Sequence, residues 1–317
     1  MCATSSPPAS QRPDHLLSTA ISTDSPTTLQ AALDLARSTY LSDFPDFPQE
    51  ALCSILYSGS SALTSYLLTH NADLVHSITP LHIAHKPSIP LFQALLDHGW
   101  DPNTSSPKSS FGKGQRVIDH VLPYHELVVW LVEHGAEVNY GYLDAIIDAR
   151  PSPLLETCAA IGSLATFKYL RERGARLGRR TLHVAVLRAA QLGADPSVDQ
   201  DTAEAREKGY RSGEERKKKE AEAIVRYLVD EMGLDVNQIE LDSPWRYGTP
   251  INHAAAQKKG AAVVWWLLQR GADPDKYLDP TFYNIGSQAK GMDAEDFARA
   301  FKCDRVLDVL AEWKRLR

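Results

Sequence analysis

Thr79-Pro80-Leu81-His82-Ile83-Ala84 is the stretch on which the fold of this chain turns. A Thr ahead of a Pro can cap a helix, and Pro fits the first helical turn because no N–H is needed there. The closing Ala lets a second helix approach closely. Close relatives of the stretch stand at Thr249-Pro250-Ile251-Asn252-His253-Ala254-Ala255 and Thr181-Leu182-His183-Val184-Ala185. Weaker ones stand at Ser152-Pro153-Leu154-Leu155 and Arg116-Val117-Ile118-Asp119-His120.

Working outward, a second phrase closes an apolar helix after each of these stretches. It reads His70-Asn71-Ala72-Asp73, Gly99-Trp100-Asp101-Pro102-Asn103 and Gly135-Ala136-Glu137-Val138-Asn139. It recurs as Gly174-Ala175-Arg176, Gly233-Leu234-Asp235-Val236-Asn237 and Gly271-Ala272-Asp273-Pro274-Asp275. Its third residue sits at 73, 101, 137, 176, 235 and 273, so the steps are 28, 36, 39, 59 and 38. Before each phrase the apolar residues fall at helical spacing, as in Val263, Val264, Leu267 and Leu268. The Gly stops that helix where a left-handed residue is required, and the Asp and Asn after it suit a turn toward the next unit.

Together these residues resemble the ankyrin repeat, whose hallmark is T-P-L-H-x-A at a period of about 33. The resemblance covers residues 50–313, most of the chain. It implies an all-α fold: an α-solenoid of stacked ankyrin-type helix–turn–helix repeats with finger loops. His82 and His183 match the family's structural histidine, which brackets adjacent turns; Asn252 stands in that place in the sixth unit. The expected organisation is a disordered tail over residues 1–14, N-terminal helices over 15–48 that form a degenerate repeat or cap, and a solenoid of about seven units over 49–317. Within Leu16 to Ala36 the chain breaks at Ser25-Pro26.

The step of 59 marks a polar insertion near residues 191–220. Ala194 to Glu220 carries eight acidic and seven basic residues, including the run Arg216-Lys217-Lys218-Lys219. The plain reading is a flexible loop and a lengthened helix with Glu214–Lys218 and Glu215–Lys219 pairs; the sharper one is a nuclear-import signal. Four connections are longer than the family's norm, at 103–115, 140–152, 238–248 and 276–291, and each is rich in aromatics. In the family such connections form projecting fingers. Phe111, Tyr140, Tyr142, Trp245, Tyr247, Tyr277, Phe282 and Tyr283 are therefore the candidate partner-binding residues. A single ring is as simply explained by folding back over its own repeat.

Chemistry leaves no comparable signature. There is no nucleophile elbow, Walker loop or dinucleotide fingerprint, and His125-Glu126-Leu127-Val128-Val129 lacks the second histidine of a zinc site. No cofactor or metal is expected. Nothing in the sequence places Asp144, Asp148 and Glu156 together as an acid–base pair. Cys2, Cys53, Cys158 and Cys303 lie far apart and read as small buried hydrophobes in a reducing compartment. The formal net charge of -6 argues against direct binding of nucleic acid or anionic membranes. No apolar run reaches membrane-span length, and the N-terminus lacks a secretory apolar core.

The resemblance thus implies a non-enzymatic scaffold or adaptor, a monomer of the cytoplasm or nucleus, that grips a partner protein through the concave face and the aromatic fingers. The alternatives are a transcriptional co-regulator bridging nuclear factors and an enzyme built on a repeat scaffold.

Overall fold

The computed structural model describes residues 12–39, 46–107, 114–140, 152–197, 213–239, 248–277 and 291–317. Among these residues the regular structure is all helical, with one isolated antiparallel bridge between Ser105 and Arg116. The chain divides into two compact units, Met1–Val121 with Glu126–Ala136, and Leu122–His125 with Glu137–Arg317.

In the first unit the helices come in pairs: α1 (Pro13–Thr23) with α2 (Pro26–Thr39), α3 (Phe47–Ser58) with α4 (Ser61–His70), α5 (Pro80–Ala84) with α6 (Ile89–Asp97), and α7 (Val117–Val121) followed by α8 (His125–Glu133). The helix that opens each pair packs on the next such helix, α1 on α3, α3 on α5 and α5 on α7. The second helices form their own layer, α2 on α4 and α4 on α6. The second unit repeats the arrangement. Its pairs are α9 (Leu154–Ile161) with α10 (Leu164–Glu172), α11 (Thr181–Leu192) with α12 (Gly213–Arg226), α13 (Pro250–Ala255) with α14 (Ala261–Leu268), and α15 (Ala294–Ala300) with α16 (Asp304–Leu316). There α9, α11, α13 and α15 form one layer, while α10 packs on α12 and α14 on α16.

Apolar residues at helical spacing explain the layers. Leu63 and Leu67 of α4, Leu91, Phe92 and Leu95 of α6, and Val128 and Leu131 of α8 are buried in the first unit. Phe167 of α10, Ile224 and Val225 of α12, and Val263, Val264 and Trp266 of α14 are buried in the second. Each such side chain contributes about 1.5–3 kcal/mol when fully removed from water. The second helices end as the Gly phrase predicts. At Gly135 φ is 94° and at Gly271 it is 84°. The following N–H reaches back five residues, Ala136 to the Leu131 carbonyl and Ala272 to that of Leu267, both buried alanines.

The opening helices vary from five to twelve residues, and their first N–H groups face a crowded layer. Here the third helical residue is the recurrent device. At α3, α5, α7, α9, α11, α13 and α15 it is Gln49, His82, Asp119, Glu156, His183, Asn252 and Asp296, polar every time. Three reach back to their own N-cap. His82 Nδ1, Asp119 Oδ2 and Asp296 Oδ2 accept the N–H of Thr79, Arg116 and Asp293 at 3.4, 2.8 and 3.4 Å. Four reach the following connection. Gln49 accepts from Ser77 at 2.7 Å and Glu156 from the Arg180 N–H at 3.2 Å. His183 donates to the Gln238 carbonyl at 2.9 Å, and Asn252 does the same to Lys276 at 3.2 Å.

At α5 Thr79 and His82 form a reciprocal capping box, whereas α13 and α9 lack the Thr or Ser cap of the sequence pattern. Thr249 is an extended N-cap whose side chain makes no cap bond, and Pro153 is itself the N-cap of α9. Serine caps the second helices instead. Ser60, Ser88 and Ser163 accept the N–H of Leu63, Leu91 and Thr166 at 3.0, 3.3 and 3.1 Å.

A second set of bridges runs through the Asn of the Gly phrase. Asn103 donates to the Gly135 carbonyl at 2.9 Å, Asn139 to Gly174 at 2.8 Å and Asn237 to Gly271 at 2.8 Å. Asn139 and Asn237 also accept, from the N–H of Arg176 at 2.9 Å and of Asp273 at 2.8 Å. The preceding Asp holds the turn itself, as Asp101 and Asp235 do by accepting the N–H two residues on at 2.8 Å.

Helix α1 begins at Pro13, and the break before α2 falls at Asp24-Ser25. Residues 1–11 of the expected tail lie outside the described residues, as does the centre of the 191–220 insertion. The lengthened second helix of that insertion is α12. Cys53, Cys158 and Cys303 are free thiols, the last two buried, while Cys53 is half-buried with Sγ 3.8 Å from His82 Nε2.

The Asn bridge is testable because an amide both donates and accepts. Asn237→Ala is expected to lower stability by about 1 kcal/mol. Asn237→Asp keeps the acceptor for Asp273, loses the donor for Gly271 and sets a charge against that carbonyl, so it should be no better than Ala. Urea midpoints at unchanged m-value decide it; a wild-type midpoint for the Asp variant would remove the donor bond from the account.

Candidate functional site

Two of the eight candidate aromatics fall within the described residues. Tyr140 is only 8% exposed and lies inside its unit, where a partner cannot reach the ring. Tyr277 is 48% exposed. It follows Lys276, whose carbonyl is held by Asn252 and whose Nζ donates to the Asn237 carbonyl at 2.9 Å. The ring therefore leaves a connection whose backbone is fixed. Phe111, Tyr142, Trp245, Tyr247, Phe282 and Tyr283 lie outside the described residues, as do Asp144 and Asp148. The ends of the 103–115 connection pair as a hairpin base, with the Ser106 N–H donating to Gln115 at 2.8 Å.

His82, His183 and Glu156 have structural partners. His82 and His183 are used as above, and burial pulls the His82 and His120 imidazoles below the usual histidine range. Glu156 meets the Arg180 guanidinium at 3.8 Å as well as its N–H. Gly178 makes room for this carboxylate, since a Cβ there would stand 2.3 Å from Oε2. Among the described residues no three His, Cys, Asp or Glu side chains gather as a metal site.

A cleft of about 380 Å³ opens in the second unit, between the α9–α10 turn, the end of α11 and the start of α12. Its position follows from two carboxylates of α12. Glu220 accepts the Leu164 N–H, in the first turn of α10, at 2.8 Å. The buried Glu222 accepts the Asp195 N–H at 3.0 Å and pairs with Lys219 at 2.9 Å. The Lys219 contact compensates a buried carboxylate. These contacts tie the middle of α12 to the start of α10 and to the residues just after α11.

One wall of the cleft is apolar, from Pro123, Ile161 and Leu192; Ile161 is 43% exposed. Cations line the other. Arg188 stands alone as a charge on the apolar α11 and is half-buried. Its Nη1 donates to the carbonyls of Gly162 at 2.8 Å and Ala159 at 3.4 Å. Burial draws its pKa down and Cys158 and Glu220 oppose that, but a guanidinium remains charged at neutral pH. Behind it the Cys158 thiol is fully buried, and burial pushes its pKa far up, which makes it a wall rather than a nucleophile. Gly162 lies against this thiol; a Cβ there would meet Sγ at 2.5 Å. Arg216 and Lys217, exposed on α12, complete the rim. Neither makes a hydrogen bond or ion pair with a described residue.

The sequence holds a trace of this cleft that pattern reading missed. The basic run 216–219 reads as a surface feature, and Arg188 passes as one charge in a helix. Only the packing of α12 beside α11 brings them together. Comparison with protein-family models and with curated proteins gives no match for the chain.

Glu220 can be tested as the clamp that holds the cleft open. Glu220→Ala should free the Leu164 amide, raising its hydrogen-exchange rate about tenfold or more while amides deep in α14 keep theirs. An unchanged Leu164 rate would show that α12 is held by other contacts.

Proposed function

We propose that the chain is a non-enzymatic, ankyrin-type repeat scaffold that binds a partner protein through its inner helices and long connections. The stacking of opening helix on opening helix, together with the polar third residue in seven of them, supports the ankyrin-type reading. The observation that carries the functional reading is Tyr277, turned out to solvent from a connection pinned by Asn252 and by the Lys276–Asn237 contact. An aromatic held on a fixed backbone loses little freedom on binding and offers a large contact area, which is how hot spots arise. The same reading assigns partner contact to the aromatics of the other long connections, Phe111, Tyr142, Trp245, Tyr247, Phe282 and Tyr283. Contact with nucleic acid would be indirect, given the net charge of -6.

Affinity purification coupled to proximity labelling tests this, with wild type and Tyr142→Ala/Trp245→Ala/Tyr283→Ala side by side. The expected result is a defined partner retained by the wild type and lost by the variant, with the helical circular dichroism of both unchanged. A partner held equally by both would remove the connections from the binding surface. Absence of any partner above background with the wild type would overturn the scaffold reading.

A further inference from the structure

The cleft between α9, α11 and α12 has a charge balance opposite to that of the chain. The chain is net negative, yet three cations face this space. The one anion among them, Glu220, is already engaged by the Leu164 N–H. Among the described residues the Arg188 side chain bonds through Nη1 alone, to two carbonyls, and the Arg216 and Lys217 side chains make no hydrogen bond or ion pair. Unpartnered cations on an exposed helix are ordinary. Here they converge with a half-buried guanidinium over an apolar wall, and convergent polar groups over an apolar surface are the mark of a ligand site.

We infer that this cleft receives an acidic segment of a partner protein, in which an Asp or Glu side chain stands next to an apolar residue. The inference rests on the partner-binding reading above and names the chemistry of one contact. The carboxylate lies between Arg188 and the Arg216–Lys217 pair, where a guanidinium can meet it with two parallel N–H donors. The neighbouring apolar side chain covers Pro123, Ile161 and Leu192 and excludes water from the ion pairs, which strengthens them. A volume of about 380 Å³ is small for a binding pocket and suits a few side chains rather than a folded surface. Nucleic acid fits poorly. Its affinity comes from many phosphate contacts along an extended positive surface, and here the positive charge is confined to one cleft with an apolar half. The clamps from Glu220 and Glu222 fix the backbone that carries Arg216 and Lys217, so little ordering remains to be done on binding.

The test uses the full chain and fluorescein-labelled peptides of alternating Glu and Leu, with matched Gln–Leu and Lys–Leu peptides, read by fluorescence anisotropy at low salt. The Glu–Leu peptide should bind saturably with micromolar Kd, and more weakly as salt rises. Its binding should protect amides 160–164 from exchange. Arg216→Glu/Lys217→Glu, which touches no internal bond, should weaken binding about tenfold or more and admit the Lys–Leu peptide. Arg216→Gln/Lys217→Gln, which adds no repulsion, should give an intermediate loss.

Equal binding of the Glu–Leu and Gln–Leu peptides, equal binding by wild type and both variants, or displacement of the peptide by inorganic phosphate or a short oligonucleotide at matched concentration would each overturn the inference. The two readings fail separately. If the peptide does not bind while the wild type still captures a partner that the aromatic variant loses, the cleft falls and the scaffold stands. If the peptide binds as described while no partner is captured, the cleft stands and the scaffold falls.

Discussion

Among the described residues seven of the eight helices that open a pair carry a polar third residue that bonds to the N-cap or to the following connection, and every helix start leaves N–H groups to be satisfied. The polar third residue is the answer to that constraint, and the rest of the structure depends on it. Placed one turn into the helix, it can turn back to its own first N–H or stretch to the next connection. Either choice fixes where the helix starts. The stretch outward, as in His183 to Gln238, also fixes the next connection relative to the layer. The residue types differ because the demand is for hydrogen-bonding reach: an amide, imidazole or carboxylate each meets it. Because each residue is buried or half-buried, the bond is formed away from competing water and an unpaired replacement would be costly.

That explains which parts were legible in the sequence. The Gly phrase was readable because a helix end that needs a left-handed residue nearly dictates glycine. Its Asp and Asn were readable as turn formers, but their bridges to the next phrase were not, since sequence spacing gives no direction to an amide. The histidine pattern exposed His82, His183 and Asn252. It passed over Gln49, Asp119, Glu156 and Asp296, which do the same work with other chemistry. Pro153 misled by one place: it caps α9 where Pro80 begins α5.

The cleft was not legible, for a different reason. Its cations come from α11 and α12, whose mutual placement depends on two carboxylates and on a lengthened helix. A charge run in a polar insertion is indistinguishable, as text, from a solvated face. Packing converts it: Lys219 is drawn inward to Glu222, while Arg216 and Lys217, a few residues earlier on the same helix, are left facing the apolar wall of Ile161 and Leu192. A net-acidic chain thereby carries a local positive site, which composition alone averages away.

The insertion also shows where this architecture has room. Gln49, Glu156 and Asn252 reach partners 28, 24 and 24 positions along the chain, whereas His183 reaches its partner 55 positions on. The surplus lies in the turn inside the pair, between α11 and α12, and the bridge from His183 to Gln238 closes over it. Loop-closure entropy grows only with the logarithm of length, about 0.6 kcal/mol for each doubling. The turn between α11 and α12 is therefore a hosting position, where foreign sequence can be grafted without unstitching the helices on either side.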